Sequence, residues 1–169
     1  KELQKKGVNF LFFEKDWHQG SFKAPNEYPL HALCTSGSHD LPTLKEYWRS
    51  SDLELCEKLN LFPSDEIKHF QKSLREQDRF AIKSALKKQN LITNEALNDH
   101  SKSELSSELF MSIQKFLAQS QALLMMLPLE DILSQDNQIN LPGTIDEYPN
   151  WRHKISVNLE DWNSLTEIK

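Results

Sequence analysis

Glycine and cysteine are too scarce in this chain to build the sites they usually build. The four glycines are scattered through 169 residues. No Gly-rich loop is left to cradle a phosphate, which speaks against nucleotide binding. The two cysteines, Cys34 and Cys56, make no CxxC. Neither a disulfide framework nor a zinc site is indicated. No His and carboxylate pair has the HExxH spacing of a metalloenzyme, and no serine sits in a GxSxG elbow. Positive charge is not in excess: 20 Lys and Arg stand against 25 Asp and Glu, a net charge of −5. A nucleic-acid surface needs a basic face, so the balance argues against that class. No run approaches the roughly 18 apolar residues that a membrane span requires. Internal repeats and low-complexity tracts are also missing. The chain starts at Lys1 with no initiator Met and no signal-peptide pattern. Its start therefore reads as cut, and the N-terminus says nothing about compartment.

What remains is a globular pattern, 38% hydrophobic and 27% charged, long enough for one domain with a real core. Residues 1–6 read as the last turn of a helix ended by Gly7. Residues 8–13 (VNFLFF) form a short continuous apolar run, the mark of a strand buried on both faces. Residues 16–27 read as loop, broken by Gly20 and Pro25. A second short apolar run follows at 32–35. Thr43 and Glu46 form a capping box that opens a short helix through Arg49. Ser51 and Glu54 repeat the box for a helix to about Asn60. Pro63-Ser64 opens a long helix over 65–89, with Ile67, Phe70, Leu74, Ala81 and Ala85 as its apolar stripe. Ser101 and Glu104 cap a helix to about Gln121, striped by Leu105, Leu109, Ile113, Phe116 or Leu117, and Leu124. Residues 122–127 (ALLMML) read as a third buried strand, stopped by Pro128. One helical turn over 129–133, a Pro/Gly-rich loop over 140–151 and a closing helix over 160–168 complete the chain. Trp48 is expected in the core, and Met125 and Met126 as packing residues. His69 and His100 are expected to be solvated.

Strands alternating with helices indicate parallel βα units, in either a doubly wound sheet or a (β/α) barrel. Three strands cannot close a barrel and would leave open edges, so an incomplete domain is expected.

Two places invite chemistry. Ser38-His39-Asp40-Leu41-Pro42-Thr43 follows the run at 32–35, where a strand would meet a loop. Residues at the C-terminal ends of parallel strands line active sites in α/β folds. His39 and Asp40 there could hydrogen-bond a polyhydroxy ligand. Equally, Asp40 could cap the amides of the next helix, with His39 partly exposed beside it. The second place is Asn140-Leu-Pro-Gly143-Thr144, with Asn150-Trp151-Arg152 behind it. An Asn amide both donates and accepts, and a Trp face can cover the apolar face of a pyranose. Alternatively this is a Pro-Gly turn whose Trp packs on the core.

These residues also carry a resemblance. His39-Asp-Leu-Pro-Thr-Leu44, Tyr47-Trp48 and Asp52-Leu53 resemble the 4-alpha-glucanotransferases of glycoside hydrolase family 77. So do Ala122-Leu-Leu, Leu129-Glu-Asp131, Asn140-Leu-Pro-Gly-Thr144 and Pro149-Asn-Trp-Arg152. Phe12-Phe13-Glu14, Tyr28-Pro29 and Gln77-Asp-Arg79 fit as well. The similarity runs from about Gly7 to Leu159, in the family's order.

The resemblance implies the C-terminal portion of a (β/α)8 TIM barrel, helix-rich α/β in class. This chain would supply about strands six to eight, as a single partial domain over 1–169 with a helical insertion at about 51–121. It implies a cytoplasmic hexosyltransferase of glycogen and maltodextrin metabolism. The reaction would be retaining transfer of α-1,4-glucan segments to glucose or maltooligosaccharides, through a covalent glycosyl-enzyme. Such enzymes set a carboxylate nucleophile and a carboxylic acid/base about 5 Å apart. In the family both lie upstream, and neither has a counterpart here. Asp40 matches the third carboxylate, which stabilises the transition state. His39 matches the substrate-binding His beside it, and Asn140 is carried over as a sugar contact. No cofactor and no metal is implied. The partners implied are maltooligosaccharides and the rest of the barrel, with no nucleic acid and no membrane. The chain alone is expected to be inactive. Two readings compete: a non-catalytic helical interaction module, and a stand-alone glucan-binding piece.

Overall fold

The computed structural model describes residues 7–16, 18–99 and 104–164. Three parallel strands make the main sheet: β1 (Gly7–Phe10), β4 (Ala32–Thr35) and β5 (Leu124–Met126), side by side in that order. Val8 pairs with Leu33 and Leu33 with Leu124, so each new strand is added at the same edge. Between β1 and β4 the chain makes a small hairpin, β2 (Lys15–Asp16) with β3 (Ser21–Phe22). It turns at Gly20, whose φ of 67° suits a residue without a Cβ. All of this hairpin but Lys15 lies inside the segment that composition marks as loop. Its strands are two residues each, too short for an alternating pattern to register.

Between β4 and β5 run α1 (Leu44–Arg49), α2 (Ser51–Lys58), α3 (Asp65–Lys88), α4 (Asn94–Asn98) and α5 (Ser107–Ala118). One turn of helix, α6 (Leu129–Ile132), follows β5. The Thr43–Glu46 capping box is formed as expected. The second box is not. Ser51 is the first residue of α2 rather than its cap, because Ser50 turns left-handed (φ 67°) and joins α1 directly to α2. The expected caps at Ser101 and the helix end at 1–6 lie outside the described residues. Within them, Ser106 caps α5 by accepting from Leu109 N. The closing segment is a 3-10 helix over Leu159–Ser164, and residues 165–169 lie outside the described residues.

The three strands are less buried than their composition suggests. β1 stops at Phe10, and Leu11–Phe13 winds into a 3-10 turn that puts Leu11 and Phe12 into the core. Val8 is 51% exposed and Leu124 63%, with Met126 also exposed. Successive side chains alternate across a sheet. The paired rows therefore put Val8, Leu33 and Leu124 on one face, with Phe10, Thr35 and Met126 beside them. The opposite face carries Ala32, Cys34 and Met125 and packs on the helices. There the Cys34 Sγ lies 3.3 Å from Ser120 Oγ on the chain leaving α5.

The core joins Leu11, Phe12 and Phe22 to Leu44, Tyr47 and Trp48 of α1, Ile82 and Leu86 of α3, and Ile113, Phe116 and Leu117 of α5. The stripe expected for α3 holds in its second half, where Ala85 is buried and Ala81 packs on the core, and fails in its first. Ile67 and Phe70 are exposed, while Arg75, Asp78, Ile82, Ala85 and Leu86 are buried. The first turns of α3 extend past the core, and its buried part is pinned by polar pairs. Arg75 grips Asp52 with two bonds of 2.6 and 2.7 Å, and Asp78 accepts from Tyr47 OH at 2.8 Å and from Lys15 Nζ. Trp48 is in the core and His69 is exposed, as expected; His100 lies outside the described residues.

Candidate functional site

The loop after β4 is shaped before any ligand is considered. Thr35 Oγ1 donates to Gly37 O at 3.1 Å, and Leu41 N donates to Ser38 O at 3.1 Å. The resulting turn lifts His39 and Asp40 to the surface at the C-terminal end of the strand, each with a half-exposed side chain.

Asp131 pins the base of this turn. One carboxylate oxygen accepts from Ser36 Oγ at 2.6 Å, and the other accepts from Leu44 N, at the start of α1, at 2.7 Å. Burial raises its pKa to about 6, against the lowering effect of those two bonds. α1 is thus capped by Thr43 from within and by Asp131 from across the fold. Asp40 is not the cap, so that reading of its carboxylate does not hold.

Asp40 instead meets the loop after α6. Asn140 Nδ2 donates to Asp40 Oδ1 at 2.7 Å, and Asn140 N donates to His39 O at 3.0 Å. The His39 Nε2 lies 3.2 Å from Asp40 Oδ2. The structure therefore brings His39, Asp40 and Asn140 together, although 100 residues separate Asp40 from Asn140.

Asn140 is held from behind. Its carbonyl accepts from Gln138 Nε2 at 2.6 Å, and the Gln138 carbonyl accepts from Tyr148 OH at 2.7 Å. Glu46 accepts from Thr43 N at 3.1 Å and from the backbone N–H of Gln138. Burial of Glu46 raises its pKa to about 7. The rest of the loop is closed by Asn150, whose Oδ1 accepts from Leu141 N at 2.8 Å. The Asn150 Nδ2 donates to Thr144 Oγ1 at 2.9 Å. Leu141 and Tyr148 are the residues this loop buries, and Trp151 stands 63% exposed. The expectation of a core-packed Trp therefore fails. The indole lies 5.0 Å from the His39 ring, tilted by 42°.

The arrangement offers a carboxylate, an amide, an imidazole and an indole around one open surface. Such a set suits a neutral polyhydroxy ligand: hydroxyls meet the polar groups and C–H faces meet the rings. Sequence reasoning found Asp40, His39 and Asn140 but not Asp131, Glu46 or Gln138 as their supports. Only Glu46 had a local signal, the capping box. The partners of Asp131 lie 87 and 95 residues away. Among the described residues no group of three His, Cys, Asp or Glu is placed to hold a metal. No helix among them is long and apolar enough to cross a membrane.

Comparison with known proteins gives a consistent result. A family model described as 4-alpha-glucanotransferase matches residues 1–159. A 4-alpha-glucanotransferase of Haemophilus influenzae is 33% identical over 149 residues, covering 88% of this chain and 21% of that protein. One of Mycobacterium tuberculosis is 30% identical over 152 residues, covering 86% of this chain and 20% of that protein. Among solved structures, amylomaltase from Corynebacterium glutamicum superimposes with a TM-score of 0.84 at 26% identity, over 96% of this chain and 24% of that one. The chain spans about a fifth of the length of the curated relatives it matches.

Proposed function

Because this chain belongs to the glycoside hydrolase family 77 4-alpha-glucanotransferases, we propose that it is the C-terminal part of an enzyme that moves α-1,4-glucan segments onto glucose or maltooligosaccharides. In this reading β1, β4 and β5 are barrel strands six, seven and eight, and α2 to α5 are a helical insertion between the last two. The nucleophile and the acid/base of the double displacement belong to the rest of the enzyme, so this chain alone does not turn over substrate.

Asp40 is the transition-state residue. Its carboxylate binds hydroxyls of the sugar at the cleavage point and favours the flattened, oxocarbenium-like ring. Bonds that tighten as the ring distorts raise turnover and not merely affinity. His39 and Asn140 orient that carboxylate and contact the same sugar. The observation that carries the proposal is the state of Asp40. It is half exposed at a strand's C-terminal end, held by Asn140 at 2.7 Å, and free of helix-capping duty.

The test is Asp40→Asn in the whole enzyme, assayed by glucose release from maltotriose. A loss of about a hundredfold or more with the fold intact is expected, the scale of one preorganised electrostatic contact. Near-normal activity would return the chain to the interaction-module reading, which the exposed Ile67 and Phe70 on α3 favour.

A further inference from the structure

Five non-glycine residues among those described adopt left-handed backbone angles: Ser50, Asn60, Asn90, Ser134 and Trp151. The first four are small polar residues that follow α1, α2, α3 and α6, where leaving a helix calls for that conformation. Trp151 ends no helix. It holds φ 61° in the loop after α6, a region that bulky L-residues avoid because their Cβ crowds the backbone.

The conformation fixes where the indole goes. Trp151 N donates to Ile139 O at 2.9 Å, and the next residue, Asn140, donates its amide to His39 O at 3.0 Å. The two bonds clip residue 151 beside the His39–Asp40 turn. The indole then faces His39 at 5.0 Å with most of its surface in water. A Trp normally gains its stabilisation from burial. Here a strained backbone holds it out of the core and beside a carboxylate and an amide. Strain of this kind is maintained where a neighbouring site uses it.

We propose that Trp151 and His39 form an aromatic wall that takes the apolar C–H face of a glucose unit, so that Trp151 sets the affinity for the glucan. The hydroxyl edge of the bound chain meets Asp40 and Asn140. This inference rests on the glucan reading above, and it adds a binding residue to the site rather than a reacting group.

The test compares Trp151→Gly, Trp151→Phe and Trp151→Leu in the whole enzyme with maltotriose as substrate. Glycine relieves the left-handed angle and removes the ring. The expected result is a melting temperature equal to or above that of the parent, with kcat/KM reduced about tenfold through KM. Phenylalanine keeps a ring and should retain most of the affinity, whereas leucine should lose it. The inference is overturned if the glycine variant melts lower and turns over normally. It is also overturned if phenylalanine and leucine behave alike, a comparison that stands even if the glycine variant does not fold. Asp40→Asn separates the two levels. A loss there with intact Trp151 variants sinks only the wall, whereas no loss there sinks the glucan reading itself.

Discussion

Glu46 is a carboxylate with almost no access to water, and burial is the main reason its pKa rises from 4.5 to about 7. Between those values the folded protein holds a proton that the unfolded chain has released. The stabilisation from Glu46 is therefore complete below pH 4.5 and is lost as pH rises through about 7, a change on the order of 3 kcal/mol. Glu46→Gln removes the titration. Thermal melts at pH 5 and pH 8 should show the variant gaining on the parent at the higher pH. An equal offset at both values would contradict the burial argument. At this scale the sequence made the candidate cluster visible: Asp40 and His39 follow a strand, and Asn140 sits in a Pro/Gly loop. It did not make the supports visible. Asp131 and Gln138 act through bonds that exist only once distant segments meet.

Among the elements, α3 has its buried part pinned by a polar network. The Arg75 guanidinium is buried against Asp52, donates to Tyr47 O at 2.7 Å and lies 3.7 Å from the centre of the Tyr47 ring. Tyr47 in turn stacks on Phe12 at 3.9 Å. Asp78 and Arg79 add bonds to Tyr47 OH and to Trp48 O. These groups bury the part of α3 from Arg75 onward, and its first turns, with Ile67 and Phe70, extend beyond the core. Arg75→Ala would strand the Asp52 carboxylate in the interior at a cost of about 3–5 kcal/mol, whereas replacing both partners by apolar residues should cost much less. Urea unfolding of the three proteins checks this, and a small effect of the single change would contradict it. The extent of α3 was legible to within a residue, whereas α5 begins at Ser107 rather than at the expected Glu104 box, and α4 was not anticipated. The buried face of α3 was legible only in part, through Ala81 and Ala85, because amphipathic patterning counts apolar residues and is blind to the paired charges of Arg75 and Asp78.

The whole molecule is a helix-rich α/β unit whose sheet packs one face on the helices and leaves Val8, Leu124 and Met126 of the other exposed. The runs at 8–13 and 122–127 read as doubly buried strands, and their apolar composition suits that role. Yet Val8, Leu124 and Met126 stand in water. In the proposed barrel that face turns inward, toward strands contributed by the rest of the enzyme. The parallel, one-directional strand order and the superposition on an amylomaltase agree with this placement. The helix-rich α/β class was thus legible in the alternation of strands and helices, and the family in short motifs.

The most direct measurement is a crystal structure of the whole enzyme with a maltooligosaccharide bound. The account predicts a glucose unit at the surface shared by Asp40, Asn140 and His39. An Asp40 carboxylate oxygen should lie within about 3 Å of a sugar hydroxyl. A bound glucan that leaves Asp40 facing solvent, with the sugar contacts made elsewhere, would contradict it.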